Sequence, residues 1–390
     1  MFTRALLALC VTSVLTLTAQ TGQAGTNDVL IGLDQKITYG PDGPVNGAAG
    51  KDEVLVMDIS IPAKPRIRAR LPLMNSLLGP PTNLQITPDG KLGLVANSVL
   101  HTPSDATTYK VSPDNRLFVI DLTAEPPRLV DTLEIGKQPS GMAISRKGDL
   151  VLVANRNGRS VSVLSITGGK VTVVGEVPVE QEAAAIAITP DGKRAFVCLN
   201  LVNKIAVLTI DGTRVTYDKT MDIPVAFNPY NADVTPNGKF VIVSTTGAGK
   251  NNADAMVMIE AGGPHPRVID MLTPGAGPEG FAISPDGKWV VAALLLGSGA
   301  KQSDWWKTKG GELVLMSLDS ASGEMGFRAR VKVGGLPEGV VFSPKSDYVY
   351  VGNYFDSDIQ VFRISGEQLI PAGPALKLGG QPASMRGVAR

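Results

Sequence analysis

The feature that most constrains this 390-residue chain is a repeated strand, turn, strand unit whose copies run almost from end to end. Each copy opens on Gly or Pro, makes a short apolar strand, reverses at a Pro-Asp-Gly-Lys-like turn, and continues into a second apolar strand. Six copies can be read directly: PPTNLQITPDGKLGLVAN (80–97), QPSGMAISRKGDLVLVAN (138–155), EAAAIAITPDGKRAFVCL (182–199), NPYNADVTPNGKFVIVST (228–245), GPEGFAISPDGKWVVAAL (277–294) and LPEGVVFSPKSDYVYVGN (336–353). The turn chemistry is mechanistic: Pro presets φ, Asp bonds the neighbouring backbone, and Gly accepts positive φ. β-Branched and aliphatic runs of strand length flank each turn. Third strands follow at 116–122, 160–166, 204–210, 255–259, 312–318 and 358–364, with a fourth before the next unit.

A seventh unit is split between the chain ends. Residues 380–388 match a first strand, and 28–33, 53–59 and 66–73 supply the other three. The expected fold is therefore all-β: a seven-bladed propeller with four-stranded blades, its ring closed by pairing of the C-terminal strand with the N-terminal blade. Closure of this kind removes open sheet edges. The turns at 88, 146, 190, 236, 285 and 344 are spaced by 44 to 59 residues, which suits blades with unequal loops.

Segments Leu94-Val95-Ala96-Asn97, Leu152-Val153-Ala154-Asn155 and Tyr350-Val351-Gly352-Asn353 resemble the name-giving segment of the YVTN β-propeller repeat, and the resemblance covers essentially the whole chain after residue 24. It implies the fold and leaves several functions open. Similar propellers include phosphogluconolactonase-type lactonases, the heavy chains of periplasmic amine dehydrogenases, the propeller domain of nitrous oxide reductase, and surface proteins. A fold of this breadth does not choose among them.

The N-terminus reads as a secretory signal peptide, with Arg4 before an apolar stretch 5–17 and small residues up to Ala24. The stretch is shorter than the ~20 residues of a membrane span. The expected organisation is a signal peptide at 1–24 and one propeller domain at 25–390, periplasmic or secreted, with no membrane anchor. Removal of the signal leaves 36 basic and 36 acidic residues. That balance, without a long Lys/Arg run, argues against a nucleic-acid partner. Cys10 leaves with the signal and Cys198, alone in an apolar run, reads as a small buried hydrophobe.

Strand parity places the Pro-Asp-Gly turns on one end of the ring, here the bottom, and the starts of first strands with the second-to-third-strand loops on the top. Four top loops are long, at 34–52, 98–115, 246–254 and 296–311, and variable loops on a rigid scaffold are where binding is usually built. Residues near the start of each first strand ring the channel, with a polar side made by Asn83, Gln85, Tyr230, Asn231, Asp233, Glu279, Glu338 and Arg386. Such a set could hold a divalent cation through Asp233, Glu279 and Glu338 or activate a water, with Arg386 holding an anionic group; these carboxylates could equally be solvated channel residues. His101, in a long top loop, could contribute to ligand binding or be simply an exposed loop residue. Trp305 and Trp306 could stack on a ligand or partner, or fold onto the rim. No haem, nucleotide or flavin motif, Gly-x-Ser-x-Gly elbow or phosphate loop is present, and two histidines and two cysteines are too few for copper or structural zinc sites.

Two functions are carried forward. The first is a binding or scaffold module acting through the top face on a small molecule or an exported protein. The alternative is a lactonase-like hydrolase or isomerase acting on a cyclic ester or sugar-derived acid, with Glu279 or Glu338 as base.

Overall fold

The computed structural model describes residues 27–390; the expected signal peptide lies outside the described residues. Seven antiparallel sheets form the blades, and within six of them the four strands pair in chain order, as strand period and short turns require. The seventh, blade 1, joins the two ends of the described chain: Pro382–Arg386 pairs with Asp28–Leu33, which is followed outward by Glu53–Asp58 and Arg66–Leu71. The register sets Leu30 against Arg386 and Ile31 against Met385.

The bottom turns show why the repeated motif is needed. In blade 2, Thr87 Oγ1 donates to Asp89 Oδ1 at 2.6 Å and accepts from the Leu92 amide at 3.0 Å, while Gly90 takes φ +73°. Thr189 and Asp191, Thr235 and Asn237, and Ser284 and Asp286 repeat the contact. Blades 3 and 7 lack the acid at that position, and their serines reach Asp149 and Asp347 instead, both at 2.7 Å. In blade 7 the left-handed position is held by Ser346 at φ +64°, a conformation that costs a serine more than a glycine.

No single central core exists. Seven apolar clusters each join one pair of neighbouring blades, the last joining blade 7 to blade 1 through Tyr350, Ile359, Leu55 and Met385. A buried Val, Leu or Ile contributes about 1.5–3 kcal/mol by removal from water, so each blade depends on both neighbours. Cys198 is fully buried in the cluster between blades 4 and 5, and burial alone pushes its thiol pKa up.

Two of the long top loops are ordered hairpins. Leu92–Pro103 and Tyr109–Asp121 extend blade 2 upward, and Ile37–Gly40 pairs with Gly43–Asn46 above blade 1. The second is tied down by a buried ion cluster, in which Lys36 Nζ meets Asp52 Oδ2 at 2.6 Å, Asp34 Oδ1 at 3.2 Å and the Asn75 carbonyl. Tyr354 Oη donates to the Ile37 carbonyl at 2.6 Å, fastening the hairpin to blade 7. Among the described residues no helix is long and apolar enough to cross a membrane.

Candidate active site

The inner strands of blades 6 and 7 both begin Pro-Glu-Gly, and the glycine brings them together. A Cβ on Gly280 would lie 1.6 Å from the Glu338 carbonyl oxygen, so only glycine permits this approach. Gly141 against Ala185 and Gly339 against Met385 repeat the device at other blade contacts. Its consequence is that Glu279 and Glu338 stand side by side at the top of the channel.

Both line a top-face pocket of about 390 Å³ with Tyr39, Arg156, Tyr230, Asp254 and Trp306. Glu338 is 2% exposed and its Oε2 has no hydrogen-bond partner. Burial, and then the charge of Glu279, hold its pKa well above the usual carboxylate range. Glu279 is pushed up to about 7 by burial, against the pull of Arg156, with Asp254 adding to the rise. Burial and the same glutamates raise the phenols of Tyr39 and Tyr230, which therefore stay protonated donors. Arg156 leads the short top turn of blade 3; its Nε is buried without a partner and its Nη2 lies 3.7 Å from Glu182.

Asp254 shapes the wall. Its carboxylate accepts from the Ala248 amide at 2.8 Å and the Gly277 amide at 2.9 Å, which pins the 246–254 loop beside the first-strand entry of blade 6. Trp306 packs over Gly297, and a Cβ there would lie 2.9 Å from the indole. Tyr39 reaches the pocket from the hairpin above blade 1, in edge contact with Tyr354 and Phe355.

The polar residues grouped along the channel in the sequence divide between two levels. Asp233 lies four positions after the opening Pro229, whereas Glu279 lies one position after Pro278, and three residues of strand descend roughly 10 Å. Asp233, Arg386, Gln85 and Asn231 accordingly line a separate lower cavity of about 190 Å³, bounded by the bottom turns. Arg386 is thus removed from the anion-holding role beside the glutamates: its Nη2 is 3.7 Å from Asp233 Oδ2. The proposed Asp233, Glu279 and Glu338 cation site is likewise corrected, because among the described residues no three His, Cys, Asp or Glu side chains converge as a metal cage. Asn231 is the link between levels, its Nδ2 donating to the Glu279 carbonyl at 3.3 Å.

Other sequence candidates fall outside the pocket. Asn83 Nδ2 donates to Asn75 Oδ1 at 2.8 Å and the Ala96 carbonyl at 2.7 Å, and Gln85 Nε2 reaches the Gly387 carbonyl at 3.2 Å; both brace blades. His101 is 5% exposed, contrary to the expected exposed loop, because its loop is a hairpin and Nδ1 sits 3.0 Å from the Gly47 carbonyl. Trp305 is 86% exposed beside the pocket-lining Trp306. Sequence reasoning passed over Arg156, Tyr39 and Asp254, which only the top-face loops assemble.

Comparison with known proteins agrees with the architecture. A family model described as lactonase, 7-bladed beta-propeller, matches residues 186–296. A putative 6-phosphogluconolactonase from Bacteroides uniformis superposes with TM-score 0.69 at 17% identity, covering 93% of this chain and 99% of that one. The periplasmic gluconolactonase of Pseudomonas aeruginosa gives TM-score 0.64 at 19% identity over 93% and 99%. A functionally unknown protein from Desulfotomaculum acetoxidans gives 0.67 at 14%, with the same coverage. No curated protein matches the sequence. At these identities the neighbours establish the fold: the chain is a seven-bladed β-propeller, similar over residues 186–296 to the lactonase propeller family.

Proposed function

We propose that this chain is an exported hydrolase that opens a cyclic ester in the top-face pocket. The observation that carries the reading is the pair of glutamates on adjoining inner strands, Glu338 buried and Glu279 half-buried, one poised near neutrality and both facing a pocket that also holds Arg156. Two carboxyls in one pocket, each raising the cost of charge on the other, cannot both ionise cheaply, which divides them into a base and an acid. Glu279, with the lower pKa, takes a proton from the attacking water as its oxygen bonds to the ester carbonyl carbon. Arg156 stabilises the oxyanion of the tetrahedral intermediate. The intermediate collapses by breaking the ring carbon–oxygen bond, and protonated Glu338 donates its proton to the departing alkoxide. The proton gained by Glu279 then passes across the pair to Glu338, and the hydroxy acid leaves with both glutamates restored. The fold likeness to proteins named as gluconolactonases supports this reading over the binding-module one.

A panel of lactones assayed with the wild type, Glu279→Gln and Arg156→Met tests it. Hydrolysis that falls by about 10²-fold or more in each variant, with unchanged folding, is expected; full activity in Glu279→Gln would remove that residue from the chemistry. The binding-module reading retains one specific support, the 86% exposed Trp305 at the pocket rim. Export is tested by mass spectrometry of the periplasmic fraction, where a mature N-terminus at Gly25 is expected and an intact Met1 in the membrane pellet would contradict it.

A further inference from the structure

The charges and surfaces of the pocket also bear on what kind of ester it admits. Its ionisable lining is mostly acidic: Asp254, Glu279 and Glu338 against Arg156 and Lys250. Lys250 is exposed in the rim loop, and Arg156 shares its guanidinium with Glu182. Recognition of a phosphate or carboxylate calls for a guanidinium fork or a cluster of backbone amides turned on the anion. Two amides in the wall that could have served, those of Ala248 and Gly277, are already donated to Asp254. An anionic substituent here would meet a lining that is acidic on balance, with only the shared Arg156 and the exposed Lys250 to offset it.

Much of the remaining lining is apolar. Leu77, Leu295 and Leu336 contribute to it together with the rings of Tyr39 and Trp306, and Leu336 is 4% exposed. Leu78, in the pocket lining, leaves 39% of its surface in water, an unfilled apolar contact. Burial of that surface by an alkyl or aryl group is favourable in proportion to its area, and aromatic walls add specific packing.

We infer that the pocket selects an uncharged cyclic ester carrying an apolar substituent and rejects lactones bearing phosphate or carboxylate. The inference rests on the hydrolytic reading for its chemistry but on the lining alone for its selectivity. With the ester ring at the glutamates and Arg156, the substituent lies along Leu336, Leu295 and Trp306 toward Leu78.

The test uses the full mature chain and measures kcat/KM on a long-chain alkyl γ-lactone, an unsubstituted γ-lactone, an aldonolactone and a phosphorylated aldonolactone. An advantage of about tenfold or more for the alkyl lactone over the phosphorylated one is expected, and Leu78→Asp should shrink that ratio, chiefly through KM on the alkyl compound. A phosphorylated lactone as the best substrate would overturn the inference and leave the hydrolytic reading standing. If no lactone is opened, the hydrolytic reading fails, and calorimetry with the alkyl and phosphorylated lactams decides the selectivity separately. Binding of the alkyl lactam alone supports it; preference for the phosphorylated lactam, or binding of neither, overturns it.

Discussion

The carbonyl oxygen of Glu338 occupies the place that a Cβ on Gly280 would need, 1.6 Å from its ideal position. That contact sets the spacing of blades 6 and 7 at the top of the channel, and so the spacing of the two glutamates.

Gly280→Ala should therefore act on stability and on the pocket together. The obstructing atom is backbone, which cannot rotate aside, so the inner strands must part. Overpacking of this kind costs about 1–3 kcal/mol and occasionally more. Denaturant titration should show that loss with an unchanged slope, and lactone hydrolysis should fall further than the fraction unfolded explains. A variant as stable and active as wild type would mean that the two strands are not held at this distance.

The closing strand supports a second expectation. Truncation after Leu378 removes the inner strand of blade 1, Ala383 and Met385 from two apolar clusters, and the ladder partners of Asp28–Leu33. The exposed ladder groups and cluster faces would make a loss of several kcal/mol, enough to prevent folding of a marginally stable ring. Melting within a degree or two of the full chain would contradict this closure of the ring.

Lys36 carries a third. It is buried with Asp34 and Asp52, and its removal leaves both carboxylates without their cation. Lys36→Ala should cost about 3–5 kcal/mol, as breaking a buried pair does. Combining Lys36→Met with Asp34→Asn and Asp52→Asn should recover much of that loss. A neutral Lys36→Ala would show the ion cluster to be dispensable for anchoring the 37–46 hairpin.

The fold was legible because the turn chemistry recurs: Thr87, Thr189, Thr235 and Ser284 all precede the same reversal, and the split seventh unit is visible at both ends. Glu279 and Glu338 were legible for the same reason, as paired Pro-Glu-Gly openings. Arg156 was not, since it follows Asn155 in what reads as an ordinary short turn, and its proximity to Glu279 depends on channel curvature. Tyr39 reaches the site from an inserted hairpin whose direction no periodicity encodes. The grouping of Asp233 and Arg386 with the glutamates misjudged height along the strand, because alternation reports which side of a sheet a residue takes and leaves its depth in the channel to the register.

The glutamate pair gives the last prediction, on pH. Glu279 titrates near 7 in the folded chain and at an ordinary carboxylate value, about 4.5, when unfolded. The folded state therefore holds the proton more tightly, and stability from this residue is fully present below about 4.5, declines as pH rises toward 7, and is flat above. The raised pKa of Glu338 continues the decline to higher pH. Asp105 acts in the opposite sense: its Thr107 and Thr108 bonds lower its pKa to about 2, so its contribution is lost only on strong acidification. Replacing Glu279 and Glu338 with Gln should flatten the decline above pH 4.5 and leave melting at pH 8 unchanged or higher, by an amount on the order of 1–3 kcal/mol. Hydrolysis by the wild type should rise with pH through about 7 as Glu279 becomes a base, then fall once Glu338 loses its proton. Thermal melts of both proteins from pH 4 to 9 decide the matter: a double variant that melts lower than wild type at pH 8 would mean that the two carboxyls stabilise the ring rather than strain it.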